Sequence, residues 1–117
     1  MNYYTIFFNF LEHFCMEKQI SYNELLPTYG DHRPLWPRYG EYRFVPVQRW
    51  LHNIEHGSVI MLYDPCMLES EVRKLKDLVF GCTRKYVITP TTFLSKERVS
   101  LFNFRAKQKI YLVCFTL

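Results

Sequence analysis

Ser58-Val59-Ile60-Met61-Leu62-Tyr63, then Asp64-Pro65-Cys66-Met67, then Leu68-Glu69-Ser70-Glu71-Val72-Arg73-Lys74-Leu75-Lys76-Asp77-Leu78-Val79-Phe80-Gly81, is the stretch on which the architecture turns. Its first six residues are mostly apolar and too few for a helix, which is the pattern of a buried strand. In the third block Leu68, Val72, Leu75 and Leu78, with Val79 beside them, recur at helical spacing. Glu69 and Glu71 fall in the first turn, where the positive end of the helix dipole favours acids, and Gly81 stands at the exit. Lys85 to Thr89 then returns to strand composition, and so does Ile110 to Phe115.

Toward the N-terminus, Pro46 opens a second helical pattern with Val47, Trp50, Leu51 and Ile54 on one face, and Gly57 closes it. From Tyr22 to Pro46 the chain is punctuated by Pro27, Gly30, Pro34, Pro37, Gly40 and Pro46, so little regular structure is expected there. A loop of that length inside a compact domain is uncommon and tends to be functional. Residues 3 to 16 place Phe7, Phe10, Leu11 and Phe14 at the spacing of an amphipathic helix, although the aromatic content would also suit a strand. These readings predict one small α+β domain. Its short, mostly antiparallel sheet would pack against two or three helices, beside a long loop rich in Pro and Gly.

Composition supports a folded chain. Of the 117 residues 49% are hydrophobic and 18% aromatic, well above what a disordered chain carries. The net charge of +4 comes from Lys and Arg scattered along the sequence, with no stripe that would track a phosphate backbone. Trp36-Pro37-Arg38-Tyr39 and Tyr42-Arg43-Phe44 interleave aromatic and basic residues, but no RNA-binding signature accompanies them, so no nucleic-acid partner is expected. Cys15, Cys66, Cys82 and Cys114 form no C-x-x-C pair, which excludes a zinc ribbon and a thioredoxin-type motif. The apolar N-terminal stretch lacks a basic flank and a small-residue cleavage site, and no run reaches the roughly 18 apolar residues of a membrane span. The sequence reads as a soluble chain without an export signal.

The residues with chemical potential are histidines. In His52-Asn53-Ile54-Glu55-His56 two imidazoles stand one helical turn apart, a spacing that lets both face one metal ion. They fall opposite the apolar set Val47, Trp50, Leu51 and Ile54, so they face either solvent or a pocket roofed by another segment. His32, in the loop between Tyr29 and Trp36, is the natural candidate for that roof. Three imidazoles and a water make an open zinc or copper site, with Glu55 as a supporting carboxylate or as a base. The same five residues match the H-x-x-E-H pattern of inverted zincins. Gly57 ends the helix at once and the chain is short, which argues against a peptidase. Pairings of Cys66 or Ser58 with His56 lack a nucleophile elbow and an oxyanion loop. In the structural alternative each imidazole simply bonds a carbonyl or a carboxylate. As for the cysteines, a helix between Cys66 and Cys82 spans roughly 18 Å, which opposes a direct bond between them.

Three ordered blocks carry a resemblance: Tyr22-Asn23-Glu24, then Pro27-Thr28-Tyr29-Gly30-Asp31-His32-Arg33-Pro34, then Trp50-Leu51-His52-Asn53-Ile54-Glu55-His56-Gly57. Tyr63-Asp64-Pro65-Cys66, Gly81-Cys82 and Tyr86-Val87-Ile88-Thr89-Pro90 continue it. Together they resemble the domain-of-unknown-function family 3105, specifically its animal branch. The resemblance covers residues 20 to 98. It leaves 1 to 19 as an apolar helix or replaced segment and 99 to 117 as a divergent C-terminal strand segment. It implies an extracytoplasmic or membrane-associated setting, a growth-suppressing role, and a disulfide between Cys66 and Cys82. Position 64 is Asp where the animal relatives tend to carry His, and Val99-Ser100-Leu101-Phe102-Asn103-Phe104 replaces an expected strand containing Pro and Trp.

The function expected on these grounds is a non-enzymatic binding or regulatory module with an unidentified protein partner. His32, His52 and His56 are its candidate zinc or copper ligands. The alternative is a metal-dependent hydrolase with the same three ligands and Glu55 as general base.

Overall fold

The computed structural model describes residues 13–93 and 99–103. Its elements in chain order are strand β1 (Gly40–Glu41), helix α1 (Val47–Glu55), strand β2 (Val59–Tyr63), helix α2 (Glu69–Cys82), strand β3 (Tyr86–Pro90) and strand β4 (Val99–Asn103). The four strands form one sheet in the order β1-β3-β2-β4. The domain is α+β, but its sheet is mostly parallel where an antiparallel one was expected. β1 and β2 both run parallel to β3, with Ile60 opposite Val87 and Met61 opposite Ile88, and only β2 and β4 are antiparallel. The reason is the connection: α2 carries the chain from the end of β2 back to the start of β3, and a helical crossover returns the next strand in the same direction.

That arrangement also explains why β2 has no polar alternation. Successive side chains of a strand point to opposite faces, and here both faces are covered. Ile60, Leu62 and Val87 pack on one side with Val45, Trp50, Leu51 and Ile54, so α1 covers this face. Met61 and Ile88 pack on the other with Val72 and Val79 of α2. At roughly 1.5–3 kcal/mol for each fully buried large apolar side chain, these two clusters supply most of the drive to fold.

Helix α1 begins after Pro46 and ends at Glu55, with Gly57 at φ +78° reversing the chain into β2, a conformation that glycine adopts without strain. Helix α2 runs one residue past Gly81, a difference of the size usual at helix ends. The expected N-terminal helix falls mostly on residues 1–12, outside the described residues. From His13 onward the chain is not helical: His13 pairs with His32 in an isolated parallel bridge, and the amide of Phe14 donates to the carbonyl of His32 at 2.8 Å. The strand expected at Ile110 to Phe115 also lies outside the described residues. Among the described residues no helix is long and apolar enough to cross a membrane.

The long loop is ordered by α1. Prolines bring carbonyls to a loop without amide donors, and buried carbonyls need partners. The polar side of α1 supplies them: Arg49 donates to the carbonyl of Leu35, His52 to that of Arg33, and Asn53 to that of Pro37, at 2.9–3.0 Å. The loop thereby lies over the face of α1 opposite Trp50, Leu51 and Ile54, and His52 and Asn53 are buried along with them.

Candidate metal centre

The loop and α1 bring four side chains to one point. His32, His52, Glu55 and His13 each present one donor atom, and these atoms all lie within 4.8 Å of one another. His32 comes from the proline-rich loop, His52 and Glu55 from adjacent turns of α1, and His13 from the segment bridged to His32. All four histidines of the chain lie in or beside this cluster, since His56 Nε2 is 3.0 Å from His52 Nε2.

Two of the rings are fixed by their inner nitrogens. His32 Nδ1 is 2.8 Å from the carbonyl oxygen of Gly30, and His52 Nδ1 is 2.9 Å from that of Arg33. A carbonyl only accepts, so both Nδ1 atoms carry the proton and a neutral ring keeps its lone pair on Nε2. This is how imidazoles are oriented for coordination through Nε2. Gly30 makes the first of these anchors feasible. Its φ of +147° suits glycine, and a Cβ there would stand 3.2 Å from Cε1 of Tyr22.

The lone pairs then meet. His32 Nε2 is 3.1 Å from Glu55 Oε2, and His13 Nε2 is 3.5 Å from the same oxygen. Nε2 of a neutral His32 ring and the carboxylate oxygen both bring electron pairs, so their contact is favourable only with a proton or a cation between them, whereas His13 can donate to the same oxygen from Nε2. Donors held about 2.0–2.2 Å from one zinc-like ion lie roughly 2.8–3.5 Å apart, so the closest pair already has a coordination spacing and the widest must draw in by about 1–2 Å.

Burial pushes the His52 ring below the ordinary histidine pKa. The hydrogen bond to the Arg33 carbonyl works against that shift, and the neighbouring His32, His13 and His56 add to it. A neutral ring is the form that binds a metal. Flat stacking completes the surroundings: His52 lies parallel to His13 at 4.8 Å between centroids and to Trp36 at 5.0 Å, and Trp36 also covers His56 at 4.4 Å.

Arg33 fastens the fourth donor. Its buried guanidinium donates to the carbonyls of Phe14, Cys15 and Lys18 and to Gln48 Oε1 of α1, so one side chain ties the segment carrying His13 to the helix carrying His52 and Glu55.

Of the residues singled out from the sequence, His32 and His52 stand side by side, with ring centroids 4.9 Å apart. His56 touches His52 but is exposed and lies outside the four-donor group. Glu55, considered as a base, faces His32 and His13 as an oxygen donor. Sequence reasoning passed over His13 because it fell in an apolar stretch with helical spacing. A count of histidines was the available signal, with three of four already assigned. Cys66 is an exposed free thiol, so the implied bond to Cys82 is not formed. Cys66 precedes the 14-residue α2 and Cys82 ends it, and a helix of that length spans roughly 21 Å, far more than the about 4.4–6.8 Å between bridged Cα atoms. Ser58 is buried with no hydrogen-bond partner for its hydroxyl, which leaves no dyad with His56.

The fold and the cluster define a small α+β domain carrying a group of histidines and a carboxylate able to hold a metal ion. The chain belongs to the family described as protein of unknown function, DUF3105, which matches residues 13–113. No curated protein and no solved structure matches it.

Proposed function

We propose that this domain is a binding module for a divalent first-row transition metal, zinc or copper, held by the Nε2 atoms of His13, His32 and His52 and by a carboxylate oxygen of Glu55. One observation carries the reading. Four donor atoms converge within 4.8 Å, and two of the imidazoles are locked by backbone carbonyls at Nδ1, which leaves Nε2 of each neutral ring as the donor. Imidazole nitrogen with one carboxylate and no thiolate suits first-row transition ions, zinc and copper among them.

A non-enzymatic role fits this geometry better than hydrolysis. The hydrolase alternative needs Glu55 free to activate water, whereas Glu55 Oε2 lies against two of the imidazoles. The likeness to the animal branch of the family, typified by tumour protein p53-inducible protein 13, supports a regulatory and extracytoplasmic setting. On this reading the metal-filled domain presents its loop surface to a protein partner.

The test is elemental analysis by mass spectrometry on protein purified without chelator and without tag histidines, for the wild type and for His32→Ala with His52→Ala. Wild type is expected to hold about one zinc or copper per chain and the double variant none. A wild-type protein that stays empty after incubation with either ion would overturn the proposal.

A further inference from the structure

The metal reading uses His13, His32, His52 and Glu55 and leaves His56 without a role, although His56 Nε2 lies 3.0 Å from His52 Nε2. We infer that His56 is the exchange ligand of this centre, the outer donor that first takes an incoming divalent ion from water and passes it to the buried set. The inference rests on the metal reading of the same site.

The hydrogen-bond roles establish what His56 does before the ion arrives. His52 Nδ1 donates to the Arg33 carbonyl, so in the neutral ring Nε2 of His52 is the acceptor and Nε2–H of His56 the donor. His56 thus covers the lone pair that the ion requires. His52 is 6% exposed while His56 is exposed, so His56 stands on the solvent side of that lone pair. Trp36, 40% exposed, stacks on both rings, at 5.0 Å on His52 and 4.4 Å on His56, and shields their common face.

Geometry makes the transfer short. A separation of 3.0 Å between two nitrogens is already that of two ligands on one ion, for which about 2.8–3.5 Å is expected. His56 caps the C-terminus of α1, with its backbone amide bonded to the carbonyls of Asn53 and Ile54. Its main chain is therefore held beside His52 while its ring remains open to water.

The steps balance. His56 gives its Nε2 proton to water and takes one from water on Nδ1, and the freed lone pair displaces one water from the hydrated ion. His52 Nε2 displaces a second water, after which His32, His13 and Glu55 displace those remaining on their side. The bond from the ion to His56 then breaks, Nδ1 returns its proton to water, and Nε2 is reprotonated. The waters are replaced one at a time, so the ion would not cross from full hydration to full coordination in a single step.

The experiment uses the full chain loaded with zinc. Release to excess pyridylazoresorcinol and loading of the metal-free chain from the zinc complex of the same dye are each followed by stopped flow, and affinity is measured separately by equilibrium competition, for wild type, His56→Ala and His56→Gln. Both variants should keep the wild-type zinc stoichiometry and an affinity within about threefold, while loading and release each slow about tenfold. Unchanged rates in both variants overturn the inference. So does a loss of stoichiometry, which would make His56 a permanent ligand. A wild-type chain that takes up no zinc marks failure of the metal reading itself, an outcome distinct from either of these.

Discussion

Replacing Glu55 with Gln nearly preserves the shape of the side chain, so its consequences isolate the charge and lone pairs of the carboxylate. In the metal-free protein Oε2 of Glu55 stands 3.1 Å from His32 Nε2. The His32 side chain is 1% exposed and that of Glu55 12%, so water does little to soften a meeting of lone pairs there. The amide of Glu55→Gln donates to His32 Nε2 and converts the contact into an ordinary hydrogen bond, worth about 0.5–1.5 kcal/mol net. For a domain of this length the Tm of the metal-free protein should rise by roughly 2–8 °C. Metal binding should move the opposite way, because a neutral amide oxygen replaces an anionic donor, and affinity should fall about 10–100-fold. Calorimetry in the presence of a chelator measures the first effect, and competition against a chromophoric chelator measures the second. A Glu55→Gln protein that melts below wild type without metal would refute the reasoning, since it would mean that a charged His32 forms a stabilising ion pair with Glu55.

Gly30→Ala should cost about 1–3 kcal/mol, because φ is +147° and the new methyl would sit 3.2 Å from the Tyr22 ring. It should also weaken metal binding, by shifting the carbonyl that orients His32, and urea unfolding together with zinc competition reads both effects. The Tyr22 phenol donates to the carbonyl of Asp31, and burial first, with the charge of Asp31 second, pushes its pKa up to about 12 from an ordinary 10.0. The folded value lies above the unfolded one, so the contribution of Tyr22 to stability is complete below pH 10 and is lost as pH rises toward 12. Urea midpoints for wild type and Tyr22→Phe should therefore diverge below pH 10 and converge above it, and parallel curves across that range would count against the assignment.

The elements that sequence reasoning recovered are those whose local pattern and tertiary setting agree. β2, α1, α2 and β3 lie close to where apolar period, Pro46, Gly57 and the first-turn acids place them. Strand direction was missed although a signal was present. An uninterrupted apolar run at Val59–Leu62, followed by a helix and another strand, suits a parallel strand covered on both faces, whereas a half-exposed antiparallel strand would alternate. His32 was legible as a roof over His52 because the polar side of α1 needed a cover and the loop needed donors. His13 was not legible, since its position depends on a backbone bridge to His32 and on Arg33, two contacts that leave no periodic trace.

Arg33 shows why the site could be seen only in part. A guanidinium offers five donors in a rigid fork, and here they reach three carbonyls of the segment at 14–18 and one side chain of α1. In the sequence Arg33 reads as one of 15 scattered cations, yet its fork brings the segment that carries His13, from outside the sheet and its helices, to His52 and Glu55 of α1. The amide of Arg33 also donates to the carbonyl of Gln48 at 2.8 Å, and its own carbonyl accepts from His52 Nδ1. One residue thus sets the tautomer of a buried imidazole through its backbone and the position of a distant histidine through its side chain. The donors assemble because the loop has carbonyls to satisfy, and satisfying them places the lone pair of a neutral His32 ring against a carboxylate and that of His52 against His56.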